Sequence, residues 1–128
     1  MSDLKRDAIK YIRDRAKSKY NKDTKCYICG ASDNLEFHHF SGMVNLLEKY
    51  LKENSIEITC EEDILSLRDE FIAVHNKELF HDTVTLCEKH HDHLHKVYGK
   101  SPALITASKQ ARWVEIQKEK YESKVVVA

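Results

Sequence analysis

The sequence predicts an α+β fold: short strands and the helix that follows them, with a further helix at each end of the chain and a helical insert in the middle. Three observations support this prediction. Apolar residues recur every three or four positions near both ends and in the middle, short segments elsewhere alternate between apolar and polar residues, and closely spaced cysteines and histidines adjoin those segments. With 128 residues there is room for one compact core, so we expect residues 1–128 to form a single domain.

The N-terminal segment predicts an amphipathic helix followed by strands. Ser2 is the expected N-cap, and an apolar stripe follows it at Leu4, Ala8, Tyr11, Ile12 and Ala16. Residues 25–30 are then expected to form a short strand that ends in a tight cysteine turn. After a turn at residues 33–34, residues 35–40 alternate as a strand does.

Residues 41–80 predict an acidic insert made of two helices. The first has apolar residues at helical spacing, and the second begins at a capping box formed by Thr59 and Glu62. Nine acidic residues against four basic ones make the insert negative, so we do not expect it to lie along a nucleic-acid backbone. The alternative is that this acidic segment binds a protein partner.

The C-terminal third predicts one more strand and two helices. Residues 83–86 form the strand, and a helix across residues 91–97 ends at Gly99. The last helix is expected to begin with Ser101 as its N-cap and Pro102 as its first residue. The apolar stripe of that helix consists of Leu104, Ala107, Ala111, Val114 and Tyr121.

Two short-spaced ligand pairs predict a structural Zn²⁺ site. Cys26 and Cys29 form a Cys-x-x-Cys pair, and Cys87 and His90 form a Cys-x-x-His pair. Pairs on separate turns can close a tetrahedral Cys3His site, in which zinc joins two distant segments. A redox role for the first pair would leave the second unexplained. Because the N-terminus lacks the apolar stretch of a secretory signal, we expect reduced, metal-binding thiols in a cytoplasmic protein.

A second group of histidines predicts a second metal site. His91 and His95 are four residues apart on the expected helix, so both rings project from one face and can hold one ion. If His90 took this site, its partner four residues on would be a leucine, which cannot ligate, so His90 is assigned to the zinc. His38 and His39 face opposite sides of their strand, so one can bind this ion while the other acts nearby in a different role.

The charges are unevenly distributed although they sum to zero. Residues 1–25 carry nine Lys and Arg against four Asp and Glu, and residues 99–128 carry six against three. Basic ends can contact phosphates locally even in a neutral protein. The alternative is that they only solvate two terminal helices. No apolar run is long enough to cross a bilayer, so we expect no membrane contact.

The order of these residues resembles that of the HNH endonucleases, also called ββα-metal or His-Me finger nucleases. The resemblance covers residues 25–97 apart from the insert: the Cys-x-x-Cys turn, the strand that ends in His38-His39, and the run DTVTLCxxHHxxxH that starts at Asp82. It implies a zinc-stapled ββα-metal core in which His39 is the general base. It also implies a catalytic divalent metal, whose ligands would be His38, His91 and His95.

One departure from the resemblance concerns Asp82, which occupies the position of the family's central Asn. In the family that Asn bonds to backbone and makes the loop that carries the base rigid. An Asp can accept such bonds but cannot donate them. Its charge near the base would also raise the pKa of His39.

The resemblance implies a metal-dependent endonuclease that hydrolyses DNA and leaves a 5′-phosphate and a 3′-hydroxyl. Neutral His39 would activate water, and the ion would stabilise the transition state. Nitrogen-rich ligation suits Zn²⁺, Ni²⁺ or Mn²⁺ better than Mg²⁺. The basic terminal helices are expected to contact DNA, and small nucleases of this kind occur in phages and mobile elements. The alternative is a non-catalytic, zinc-stabilised module that binds nucleic acid or protein, its site having decayed at Asp82.

Overall fold

The computed structural model describes residues 3–126 and has the expected mixture of helices and a small sheet, so the α+β prediction is confirmed. Its helices are α1 (Asp3–Ala16), α2 (Met43–Glu53), α3 (Glu61–Val74), α4 (Asn76–Phe80), α5 (Glu88–Tyr98) and α6 (Ala107–Val126). Its strands are β1 (Leu35–His39) and β2 (Thr83–Cys87). Ser2, the expected N-cap of α1, lies outside the described residues. Within residues 3–126, each helix is too short or too polar to cross a bilayer.

β1 and β2 are separated by the insert in the sequence and pair with each other as antiparallel strands. Leu35 lies opposite Cys87 and His39 lies opposite Thr83, so each five-residue strand pairs along its whole length. The Phe40 N–H donates to the Asp82 carbonyl at 3.1 Å, which extends the pairing by one step. Because side chains alternate along a strand, His38 and His39 leave β1 on opposite faces, as expected.

Apolar side chains form two clusters. The first joins α1 to the insert, and its buried members are Ala8, Ile9, Ile12, Leu46, Leu47, Tyr50, Ile64, Leu67, Phe71 and Leu79. The second joins the sheet to α5 and α6, and its buried members are Cys26, Ile28, Phe40, Leu86, Cys87, Leu94 and Val114. Full burial of each large apolar side chain contributes about 1.5–3 kcal/mol. The insert is therefore packed on α1, and the sheet shares its core with the two C-terminal helices.

Of the strand and tight cysteine turn predicted for residues 25–30, the turn is confirmed and the strand is wrong. The Gly30 N–H donates to the Cys26 carbonyl at 2.8 Å and closes the turn around the cysteine pair. Gly30 has a φ of +75°, which glycine adopts without strain. The Tyr27 N–H donates to the Thr85 carbonyl at 2.9 Å, so a single backbone bond joins the turn to β2. A continuing strand would have separated the two thiols.

Three predicted helix starts are also wrong. α5 begins at Glu88 rather than residue 91, because Cys87 is already its N-cap residue. α6 begins at Ala107 rather than after Ser101, because a 3-10 turn at Leu104–Thr106 comes first. At the start of α3 the N-cap is Cys60, so the expected capping box with Thr59 does not form. Instead, the Thr59 N–H and hydroxyl both donate to one carboxylate oxygen of Asp63, at 2.9 and 2.7 Å.

The insert also contains a third helix, α4, that the sequence pattern did not predict.

Candidate metal centres and active-site cleft

The two predicted ligand pairs meet in one group, named here the thiol cluster: Cys26, Cys29, Cys87 and His90. Their four ligand atoms all lie within 4.8 Å of one another. The Cys29 and Cys87 sulfurs are 3.9 Å apart, far longer than a disulfide bond of about 2 Å. A tetrahedral zinc site with Zn–S bonds of about 2.3 Å places two sulfurs about 3.8 Å apart. The donor set and its spacing therefore fit a zinc ion.

Electrostatics act in opposite directions on the thiols of the cluster. Burial and the neighbouring Cys26 and Cys87 raise the pKa of the Cys29 thiol to about 11, which a backbone bond from Ala31 opposes. Burial acts to raise the pKa of the Cys26 thiol, but backbone N–H groups of the surrounding turns donate toward its sulfur and outweigh burial, so the pKa is lowered. The thiolate is the form that binds metal. Burial lowers the pKa of His90, so its ring is neutral and its Nδ1, 3.2 Å from the Cys87 sulfur, can offer a lone pair.

The structure brings three more predicted ligands together in a second group, the histidine triad: His38, His91 and His95. The Nδ1 atom of His38 lies 3.0 Å from Nε2 of His91, and this Nε2 lies 3.0 Å from Nε2 of His95. His38 is only 4% exposed, and burial lowers its pKa to about 4, so this ring is neutral. His39 does not join the triad, because it leaves β1 on the other face.

In His91 and His95, a hydrogen bond to the outer ring nitrogen determines whether the inner nitrogen carries a lone pair. His91 Nδ1 lies 2.8 Å from a carboxylate oxygen of Glu36, and His95 Nδ1 lies 2.8 Å from the Gly99 carbonyl. Both partners only accept, so each ring donates outward and a neutral ring presents a bare lone pair inward. Two lone pairs that face each other at 3.0 Å repel unless a cation lies between them. Ligating histidines commonly donate their other N–H in this way, so the triad fits a divalent metal.

His39 is held in a different environment. Its Nε2–H donates to the Leu79 carbonyl at 3.1 Å, which leaves Nδ1 as the acceptor nitrogen. The rings of Tyr20 and Phe37 contact it edge-on, with centroids 5.0 and 5.1 Å away. Burial lowers the pKa of His39, the bond to Leu79 opposes this, and the charge of Arg13 lowers it further. The ring is therefore neutral near pH 7.

Asp82 belongs to neither ligand group, although its backbone pairs beside His39 at the end of β1. Its carboxylate pairs with the Lys77 ammonium at 3.4 Å, at the end of the insert. Its backbone carbonyl accepts the N–H of Phe40, the residue after His39. The charge of Asp82 is not among the causes that shift the pKa of His39, which burial lowers.

A cleft of about 280 Å³ at the end of β1 brings the histidines to one surface. The triad and His39 all line it. Arg13 of α1 lines the same cleft, as does Lys100 in the loop after α5. The arrangement places a neutral base, a candidate cation site and two fixed positive charges around one space, which suits a phosphodiester.

The sequence model of the phage T5 nicking endonuclease family matches residues 1–125. The chain belongs to this family. Membership supports a DNA-cleaving nuclease and an origin in phage, so the expectation of an endonuclease is confirmed at this level, and the enzyme is favoured over the non-catalytic module. No solved structure matches the chain.

Three groups that form hydrogen bonds with the triad were not predicted: Gln110, the Glu36 carboxylate and the Gly99 carbonyl. A signal existed for the first two. Glu36 stands two residues before His38 and therefore shares its strand face. Gln110 is a polar residue among the apolar positions of its helix, between Ala107 and Val114. Besides His39, the histidines outside both groups are His75, His81 and His93.

The Tyr20 hydroxyl gives a test of the packing around His39, because it is buried and has no hydrogen-bond partner within residues 3–126. We expect Tyr20→Phe to raise the free energy of unfolding by about 1 kcal/mol, since an unsatisfied polar group is removed and the ring is kept. Tyr20→Leu is the control that loses the ring and is expected to destabilise. Urea denaturation measures both. A less stable Phe variant would show that the hydroxyl is satisfied, for example by water.

Proposed function

We propose that the chain is a metal-dependent nuclease of the HNH type, which hydrolyses one phosphodiester bond of DNA in the cleft at the end of β1. The observation that carries the proposal is the convergence of the histidine triad and His39 on that cleft, in which the triad's ligand atoms lie within 4.8 Å of one another. Family membership supports the substrate and the class of reaction.

We also propose that β1, β2 and α5 form a zinc-stapled ββα-metal core. The thiol cluster would hold a structural Zn²⁺, and the distances among its ligand atoms support this assignment. The cysteine turn lies beside β2, and His90 lies in the first turn of α5. A zinc ion at the cluster would therefore join the loop before β1 to the junction of β2 and α5.

The reaction follows from the positions of the chain's own groups. His39 Nδ1 accepts a proton from water as the water oxygen attacks phosphorus, while its Nε2–H stays bound to the Leu79 carbonyl. The bond from phosphorus to the 3′ oxygen breaks, and this oxygen takes a proton from water, which leaves a 5′-phosphate and a 3′-hydroxyl. A divalent ion held by the triad supplies Lewis-acid stabilisation of the negative charge. Three imidazole ligands favour Zn²⁺, Ni²⁺ or Mn²⁺ over Mg²⁺.

Ion pairs made by α1 reduce the number of its basic residues that are expected to contact DNA. Lys5 pairs with Glu48 at 3.4 Å, and Arg15 pairs with Asp69 at 3.5 Å, so acidic residues of the insert neutralise part of the basic helix. Arg13 instead lines the active-site cleft. We therefore place the main phosphate contacts at Arg13 and Lys100, rather than along the whole of both terminal helices.

Asp82 is proposed to position His39 through its backbone. The carbonyl of Asp82 holds the Phe40 N–H, and its own N–H donates to the Lys77 carbonyl at 2.9 Å. These bonds join the end of β1 to the end of the insert. A role of this kind does not need a side-chain donor, so it tolerates Asp where the family resemblance expects Asn.

The thiol cluster can be tested by metal content. We expect Cys87→Ser to lose tightly bound zinc and to unfold largely, because a small domain depends on such a site. The matched control is Cys60→Ser, because Cys60 is exposed and outside the cluster. Elemental analysis and thermal melting measure the effect. Retained zinc and an unchanged melting curve for Cys87→Ser would rule out the assignment.

The general base can be tested by nicking of supercoiled plasmid with added Ni²⁺ or Mn²⁺. We expect His39→Ala to lower the rate by ~10²-fold or more while zinc content and melting stay close to those of the parent. His93→Ala is the control, because His93 is an exposed histidine of α5 that belongs to neither metal group. Equal rates for His39→Ala and the parent would remove His39 from the mechanism.

The cleft cations can be tested by the salt dependence of DNA binding. Arg13→Ala and Lys100→Ala are each expected to weaken binding and to reduce the slope of log affinity against log salt by about one, since each phosphate contact releases a counterion. Arg112→Ala is the control, because Arg112 lines a different cleft. An equal change in all three variants would place the DNA elsewhere.

A further inference from the structure

Gln110 is a buried polar side chain on α6, the helix that contributes Val114 to the second apolar cluster. It lies on α6 and is completely buried, and Val114 on the same helix is 1% exposed. Burying an amide is unfavourable unless its hydrogen bonds are made. Gln110 makes three hydrogen bonds, and one of them is to His38 of the histidine triad.

Two hydrogen bonds set which way the amide of Gln110 points. Its Nε2 donates to the Phe40 carbonyl at 3.1 Å and to the Thr106 hydroxyl at 2.9 Å. The carbonyl can only accept, so the NH2 group must face it. The Oε1 atom is thereby directed at His38 Nε2, 2.9 Å away.

We propose that Gln110 is a positioning residue that selects the tautomer of His38. Its oxygen accepts the Nε2–H of His38, so the proton is on the outer nitrogen and the Nδ1 lone pair faces His91. All three triad rings then donate outward, and all three inner nitrogens are free to ligate. The proposal rests on the proposed function only in assigning a metal ion to the triad.

The opposite amide orientation shows why the choice matters. With NH2 toward His38, Nε2 would have to be the acceptor and the ring proton would move to Nδ1. That proton would lie between His38 and His91, in the space where the ion would bind. Gln110 therefore connects α6, the end of β1 and the triad through one fixed amide.

Three variants separate positioning from packing. Gln110→Met has similar length but no acceptor, so His38 loses the partner that selects its tautomer. Gln110→Glu keeps an acceptor oxygen for His38 but loses the donors to Phe40 and Thr106, so it is expected to be less stable and still to select the same tautomer. Gln117→Met, two turns further along α6, is the matched control.

The first measurement is the ¹⁵N spectrum of the histidine rings in protein that holds structural zinc and no further metal. We expect a protonated Nε2 for His38 in the parent, Gln110→Glu and Gln117→Met, and a mixed tautomer in Gln110→Met. A parent protein with the proton on Nδ1 of His38, or a Gln110→Met spectrum identical to the parent's, would overturn the proposal. The spectrum of the parent protein alone shows which nitrogen of His38 is protonated, so the proposal can be overturned even if a variant fails to fold.

The second measurement is a calorimetric titration of the same proteins with Ni²⁺. We expect Gln110→Met to bind about 10–100-fold more weakly than the parent, and Gln110→Glu and Gln117→Met to bind within a few-fold of it. Equal affinity in Gln110→Met and the parent would contradict positioning. If the parent binds no Ni²⁺ at the triad, the proposed metal-dependent function fails, whereas the ¹⁵N spectra still decide the role of Gln110.

Discussion

The direct junction of β2 with α5 is the constraint on which both ligand groups depend. Cys87 is the last residue of β2 and the N-cap residue of α5, so His90 lies in the first helical turn beside the thiols. The next residue, His91, is rotated by about 100° around the helix and faces β1 instead. One short helix thus supplies ligands to both groups from adjacent faces. A change in its first turn would move both together, which ties the geometry of the cleft to the thiol cluster.

The parts of the site that could be predicted are those set by local periodicity. Helical spacing gave the pairing of His91 with His95, and strand alternation gave the separation of His38 from His39. The Cys-x-x-Cys and Cys-x-x-His pairs gave the thiol cluster. Each of these relations spans at most five residues, within which backbone geometry determines where side chains point.

The parts that could not be predicted depend on contacts between distant segments. Gln110 of α6 contacts His38 of β1, and no local sequence pattern predicts this contact. The cysteine turn looks like a strand because its residues are apolar, but the need to bring two thiols together determines its conformation. Asp82 was expected beside the base because of its place in a motif, and its pairing with Lys77 depends on α4, which had no clear pattern.

The position of the insert has a consequence for the order of folding. Residues 40–82 separate the paired ends of β1 and β2, so the sheet closes a long loop and loses considerable chain entropy when it forms. The helices α1–α4 bury one cluster to which the sheet contributes no buried side chain. Their packing would shorten the effective loop before the strands meet. The cleft at the end of β1 is thus expected to be assembled late, and a newly made chain would carry a formed helical half before it carries a nuclease.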